Sequence, residues 1–384
     1  MGTHTQPNPN FGARLTSLVT AAAVTLSGMP ATAAPNPPAT LTKDADNTCR
    51  VVVIDNFTTK NYPIFQNQDP NNPIRSAYVK QSHGDLVTST AGAGQTYPSF
   101  FPKTPEDLIK LILSPPIPED LIDPKKTPAI VNLSFVRPTF LDENGEITKK
   151  LEDTFPLKAV AKLINKFIDP SFPADKTLNQ SDIIQYQERL IELIYNLHEP
   201  QKTDSIDIAA SKIVTQESIS SIRTLIKKGY LVINAAGNSG PGTISLLSLI
   251  PGVVTVAAQG EKPNTYEPYS STGLPGSTIL GNGTIRAEKI TPDSKSPSGY
   301  SVTLSNNLVT PVYFGYNKYE PNRKINPLDI TISQKNQIPI WGTSFAAPER
   351  ARAASQFCRT LNEPDPAKRL ADTRDWLLQR GNGR

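Results

Sequence analysis

Histidine and cysteine are scarce in this chain of 384 residues, which holds three of the first and two of the second. The cysteines, Cys49 and Cys358, are isolated, and isolated thiols lack the paired spacing of a structural zinc site. Charge of one sign is also lacking. A net charge of +4 over this length makes no case for nucleic acid or an anionic membrane surface as partner. No stretch after the N-terminal region is long and apolar enough to span a bilayer, which takes about 20 residues. The mature chain is therefore expected to be soluble.

What is present is a globular composition, 37% hydrophobic and 19% charged. The length suffices for one large α/β domain or two smaller ones. Proline is abundant at 36 residues, and runs such as Pro115-Pro116-Ile117-Pro118 imply a loop-rich surface. At the N-terminus Arg14 precedes a mostly apolar and small run, Leu15 to Met29, and then Ala31-Thr32-Ala33. That is the order of a secretory signal, expected over residues 1–33. Export to the cell exterior or periplasm would permit a single disulfide.

Val51-Val52-Val53-Ile54 closing on Asp55 reads as a buried parallel strand, and Ala129 to Phe135 as another. Thr104-Pro105-Glu106-Asp107 has the signature of a helix start. Phe155 to Ile168 and Ser181 to Leu197 are amphipathic helical segments within a helical insertion at about 137–212. Thr215 to Lys228 reads as a helix capped by Gly229, leading into strands Tyr230 to Asn234 and Gly252 to Ala258. Residues 259–338 read as loops and short strands. Ser344 to Cys358 and Pro366 to Gln379 are the last helices. The alternation predicts helices on both faces of a mostly parallel sheet.

The stretch Trp341-Gly-Thr-Ser-Phe-Ala-Ala-Pro348 puts a serine among small residues at a helix start. Ser344 can be an N-cap, or a nucleophile with room around it and a helix N-terminus beneath it. A nucleophilic serine needs a base. His4 lies in the export signal and His198 follows a helix at the expected surface, so His83 remains, followed by Gly84. Its bland reading is a polar loop residue. Asp55, at the end of a core strand, can orient a histidine or simply make a turn. Asn238, in Ala235-Ala236-Gly237-Asn238, can be a turn residue or aim its amide at an oxyanion.

Taken together, in the order Asp, His, Asn, Ser, these residues resemble the subtilisin-like serine proteases. The likeness spans about residues 49–360, and Gly342 to Pro348 is its most specific part. It implies a three-layer α/β/α sandwich carried by one peptidase domain, residues 34–384. It implies that Ser344 is the nucleophile, His83 the general base and acid, and Asp55 its orienting partner. Asn238 and the Ser344 N–H would form the oxyanion hole. Ser134, Phe135 and Val136 would pair with substrate, facing Ala235, Ala236 and Gly237 across the specificity pocket. Val136 stands where a glycine often opens that pocket, so small or medium aliphatic residues are expected before the scissile bond. Asn56, Phe57, Asp85, Leu86, Val87, Glu349, Arg350, Ala351 and Arg352 depart from the family pattern. Arg352 replaces a glycine expected to let the helix approach the sheet.

The resemblance also implies a monomer acting on polypeptide substrate, with no organic cofactor. Structural calcium occurs in the family, but no calcium loop is legible here. No folded propeptide is legible before Val51. The insertion is either a surface decoration, a cover for the cleft or a folding aid. If Asp55 and Ser344 both meet His83, Cys49 lies about 20 Å down a strand from the site. Cys358 lies about 21 Å down a helix. Equal depth predicts a Cys49–Cys358 disulfide, against two buried free thiols. The expected activity is that of an exported endopeptidase, with a catalytically impaired binding protein of the same fold as the alternative.

Overall fold

Four β-branched residues in a row, Val51 to Ile54, leave a strand with no polar face for water. The computed structural model describes residues 47–66, 74–93, 95–98, 121, 127–135, 139–141, 147–152, 154–202, 204–316 and 336–381. In it Val51–Asp55 is a strand with every residue buried. Val51 and Val53 enter one hydrophobic core, while Val52 and Ile54 enter a second. Successive side chains point to opposite faces, so this strand lies in a sheet covered on both sides.

That sheet has six parallel strands. Their spatial order is Thr278–Gly281, Val254–Ala258, Leu231–Ala235, Ile130–Leu133, Val51–Asp55 and Gln95–Pro98. Helices His83–Ala91, Thr343–Cys358 and Pro366–Gly381 supply Leu86, Ala347, Ala351 and Leu370 to the first core. Helices Leu157–Leu163, Gln180–Leu197 and Ile206–Lys227 supply Val160, Leu190, Ile194 and Ile222 to the second. The architecture is therefore the expected three-layer α/β/α sandwich.

Several local expectations need correction. The helix expected from Thr215 begins at Ile206, after Ser205 caps it by accepting from the Ile208 N–H, so the insertion boundary at 212 falls inside a helix. Phe155–Pro156 is not helical. It pairs with Thr243–Ile244 as an antiparallel ribbon, and the helix starts at Leu157. A strand pair, Thr139–Leu141 with Ile147–Glu152, also lies in the inserted region. The inserted helices are no decoration, because they form much of the second core. The polar segment after 259 contributes Ala287–Pro292, Tyr300–Leu304 and Val309–Tyr316 to a five-stranded antiparallel sheet with Ile74–Ser82 and Thr59–Gln66. The export signal at 1–33 and the helix expected at Thr104 lie outside the described residues.

Cys49 and Cys358 form a disulfide with Cα atoms 5.6 Å apart, across a sequence separation of 309. Ser355 Oγ donates to the Cys49 carbonyl at 2.6 Å beside it. Constraining so long a loop is valued at about 5–6 kcal/mol by the chain-entropy model, as an upper bound. No helix among the described residues is long and apolar enough to cross a membrane.

His198 is not at the surface. It is 1% exposed at the end of Gln180–Leu197, and its Nδ1 donates to the Ile194 carbonyl at 2.8 Å. Burial lowers its pKa, the Ile194 bond opposes this, and nearby Lys212 lowers it further. Lys212 is itself buried against Asp204 at 2.9 Å. A histidine depressed on folding binds more protons in the unfolded chain. Its contribution is full above the ordinary value near 6.5 and is lost as pH falls through the lowered folded value. The melting temperature should therefore drop as pH falls below the ordinary histidine value of about 6.5, and His198→Asn should flatten that drop. Differential scanning calorimetry of both proteins reads the difference.

Candidate active site

The parallel sheet places the C-terminal ends of three neighbouring strands side by side. Ile54 pairs with Leu133, and Leu133 with Asn234. Asp55, Ser134 and Ala235 thus emerge together at one edge, where parallel sheets build their sites. Ser134 Oγ accepts from Asn132 Nδ2 at 2.7 Å. Phe135, Ala236 and Gly237 are buried beside them. Gly237 adopts φ of 108°, a conformation that favours glycine, and this turns the chain toward Asn238. Val136 lies outside the described residues.

His83 is the first residue of its helix. Ser82 and Asp85 form a reciprocal capping box there, with the Asp85 N–H donating to Ser82 Oγ at 2.9 Å. Asp85, a departure from the family pattern, therefore fixes the helix start that aims the imidazole. The Gly84 N–H donates to the Asn56 carbonyl at 2.8 Å. Phe57 lies directly over Gly84, where a Cβ would come within 2.7 Å of its ring. The end of the Asp55 strand is thereby clamped to the start of the His83 helix.

Ser344 is the second residue of Thr343–Cys358, and the N-cap position falls to Gly342 with no side-chain cap bond. The capping explanation for Ser344 is excluded. Ser344 Oγ instead lies 2.8 Å from His83 Nε2. On the far side of the ring, His83 Nδ1 lies 2.7 Å from Asp55 Oδ1. Asp55 is 1% exposed, and its Oδ1 also accepts from the Asn56 N–H at 2.6 Å. An ionised carboxylate only accepts, so Nδ1 carries the proton and Nε2 presents a lone pair to the hydroxyl. Phe345, 2% exposed, packs against the imidazole with ring centroids 5.3 Å apart. Burial and the neighbouring Asp55 charge push the Tyr62 phenol up to about 12, so Tyr62 stays neutral beside the site.

Thr343 orients Asn238, a role that sequence reasoning missed. The Thr343 N–H donates to Asn238 Oδ1 at 2.9 Å, and the Thr343 hydroxyl does so at 3.1 Å. The same hydroxyl accepts from the Gly237 N–H at 3.1 Å. A backbone N–H can only donate, so Oδ1 must face Thr343 and Nδ2 must face away. A Cβ built on Gly342 would lie 2.9 Å from Ser344 Oγ and 3.5 Å from Asn238 Nδ2. Hydroxyl and amide thus border one small space. The Ser344 N–H, in the first helical turn, has no carbonyl four residues back within the helix. The threonine in Gly-Thr-Ser was the signal available for this role.

Arg352 does not crowd the sheet, contrary to expectation. It is exposed, while Ala347, Ala351 and Ala354 face inward. Close approach is supplied from the strand instead. A Cβ on Gly281 would lie 2.7 Å from the Ala346 carbonyl. Arg350 Nε donates to the Leu280 carbonyl at 2.5 Å at the same crossing.

No family model matches the chain, and no curated protein matches it. Among solved structures it is similar to the prenylagaramide maturation protease PagA, at 15% identity and TM-score 0.36, over 84% of this chain and 81% of that one. A cold adapted subtilisin-like serine proteinase is similar at 12% identity and TM-score 0.33, over 88% and 85%. Sphericase is similar at 14% and 0.35, over 85% and 82%. Identity and score are low throughout, and the chemistry below rests on the side chains just described.

Gly281→Ala should push the Ala346 carbonyl away and lift the N-terminal turn of the Ser344 helix. Overpacking of this kind costs about 1–3 kcal/mol. Urea unfolding monitored by circular dichroism should show that loss.

Proposed function

We propose that this protein is an exported serine endopeptidase of the subtilisin-like kind. One observation carries the reading: a single imidazole bridges Ser344 Oγ at 2.8 Å and a buried Asp55 carboxylate at 2.7 Å. A peptide carbonyl enters the space bordered by Ser344 and Asn238. Ser344 Oγ attacks the carbonyl carbon and its proton passes to His83 Nε2. Asp55 holds the ring in the required tautomer and stabilises the imidazolium. The carbonyl oxygen becomes an oxyanion, which accepts from Asn238 Nδ2 and the Ser344 N–H. Collapse expels the amine, which takes the proton from His83, and leaves an acyl-enzyme. Water then attacks, His83 accepts its proton and returns one to Ser344 Oγ, and the acid is released. Extended substrate pairs alongside Ser134 and Phe135, with Ala235, Ala236 and Gly237 as the opposing wall. The Cys49–Cys358 bond supports an oxidising compartment outside the cytosol.

A fluorophosphonate reacts with an activated serine and tests the reading directly. Wild-type protein should be labelled at Ser344 and should cleave casein, while Ser344→Ala should do neither and should keep its fold by circular dichroism. Wild-type protein that resists the probe would return the site to a binding role.

Asn238→Leu keeps the approximate volume and removes the donor. The kcat should fall by about 10²–10³, a magnitude taken from loss of the oxyanion asparagine in subtilisin, with KM little changed. Steady-state kinetics on a peptide substrate separate the two. A change confined to KM would make Asn238 a binding residue.

A further inference from the structure

Trp341 is 54% exposed, although it follows the buried Ile340 directly. Alternation along the short strand Ile340–Trp341 turns the indole outward. Of the five large hydrophobic residues found exposed among those described, Trp341 is the one close to Ser344 in the chain, three residues before it. Its Cα lies about 3.8 Å from that of Gly342. Gly342 in turn borders the space between Ser344 Oγ and Asn238 Nδ2, as its built Cβ position shows. The backbone that carries the indole therefore borders the space where the carbonyl is attacked, and the ring leaves it on the exposed side.

The ring does not hang free. Its centroid lies 4.5 Å from that of Tyr269, at an interplanar angle of 35°. Tyr269 is held at both ends. Its hydroxyl donates to the Gly283 carbonyl at 3.3 Å, and its own carbonyl accepts from the Gly240 N–H at 2.9 Å. The strand beneath the indole is fixed as well. Trp341 pairs with Thr284, and the Gly342 N–H donates to the Gly283 carbonyl at 2.9 Å. With the phenol hydroxyl committed to Gly283, the pair meets an incoming chain mainly with carbon. An aromatic surface already held in place loses little freedom when a ligand covers it.

We propose that Trp341, backed by Tyr269, is a specificity-determining residue whose open face takes a flat apolar or aromatic side chain of the polypeptide substrate. The position is within two residues of the scissile bond, other than the residue immediately before it, whose walls are Ser134, Phe135 and Ala235 to Gly237. This rests on the peptidase reading of the same site. Stacking on a held aromatic ring favours Phe, Tyr, Trp and Leu over Gly or a charged residue.

The test is a peptide library varied on both sides of the bond, with kcat/KM measured for wild type, Trp341→Ala, Trp341→Leu and Trp341→Phe. The rate of fluorophosphonate labelling at Ser344 serves as control. Wild type should prefer aromatic or Leu side chains over Gly at one such position by about tenfold, which converts to about 1.4 kcal/mol. Trp341→Ala should erase the preference with labelling unchanged, and Trp341→Phe should keep most of it. If Trp341→Ala disturbs Gly342 and slows labelling, Trp341→Leu decides, since it keeps bulk without the aromatic face. Intact labelling with an unmoved preference overturns the proposal. So does a Trp341-dependent preference for Lys, Arg, Asp or Glu. Wild type that is not labelled at all overturns the peptidase reading instead, and the two failures are thus distinct.

Discussion

Ala346, Ala347, Ala351 and Ala354 bring the Thr343–Cys358 helix down onto the parallel sheet, with Gly281 receiving it from the strand side. This contact is the constraint on which the remaining geometry hangs. A helix carrying larger residues on that face would ride higher, and a side chain at its first turn would move with it. Side chains in cores of this kind pack at crystal-like density, so the helix has little room to settle elsewhere. Its position fixes Ser344 and Thr343 at one stroke. Thr343 then fixes Asn238, and the imidazole meets Ser344 because a capping box fixes the start of its own helix. Pro348 adds a local condition. It has no N–H to offer the Ser344 carbonyl four residues back, so the backbone at the serine is not closed into the regular ladder.

The departures from the family pattern acquire physical reasons in this setting. Phe57 is one of them, and its ring covers Gly84, which has no side chain to clash with it. Asp85 is another, and it caps the helix. Arg352 points to solvent, and Arg350 spans to the neighbouring strand. Each substitution is absorbed by its immediate surroundings. The three groups at the centre keep hydrogen-bonding distance from one another.

Much of this was legible from residue order. Val51 to Ile54 read as a strand buried on both faces, and Gly342 to Pro348 as a helix start with small residues around the serine. Those signals are local, and local steric rules suffice to read them. The antiparallel sheet that joins Thr59–Gln66 and Ile74–Ser82 to strands after residue 286 was not legible. Its pairing spans more than two hundred residues, as between Val79 and Val312, and no local periodicity encodes such a register. His198 misled because a polar residue following a helix is usually exposed. Here the following helix, with the buried Lys212–Asp204 pair, covers it. The tie from Thr343 to Asn238 was hidden for a different reason, since a threonine beside a serine looks like spacing rather than a support.

The bond between Cys49 and Cys358 encloses Asp55, His83, Asn238 and Ser344 within one covalent ring. A single cut of the backbone anywhere inside that ring leaves one molecule, not two. Such a nick would release no fragment until a thiol reagent opened the disulfide. Damage inside the ring would then be silent on a gel run without reductant and plain on one run with it. The four side chains would stay tethered at an effective concentration far above that of separated pieces.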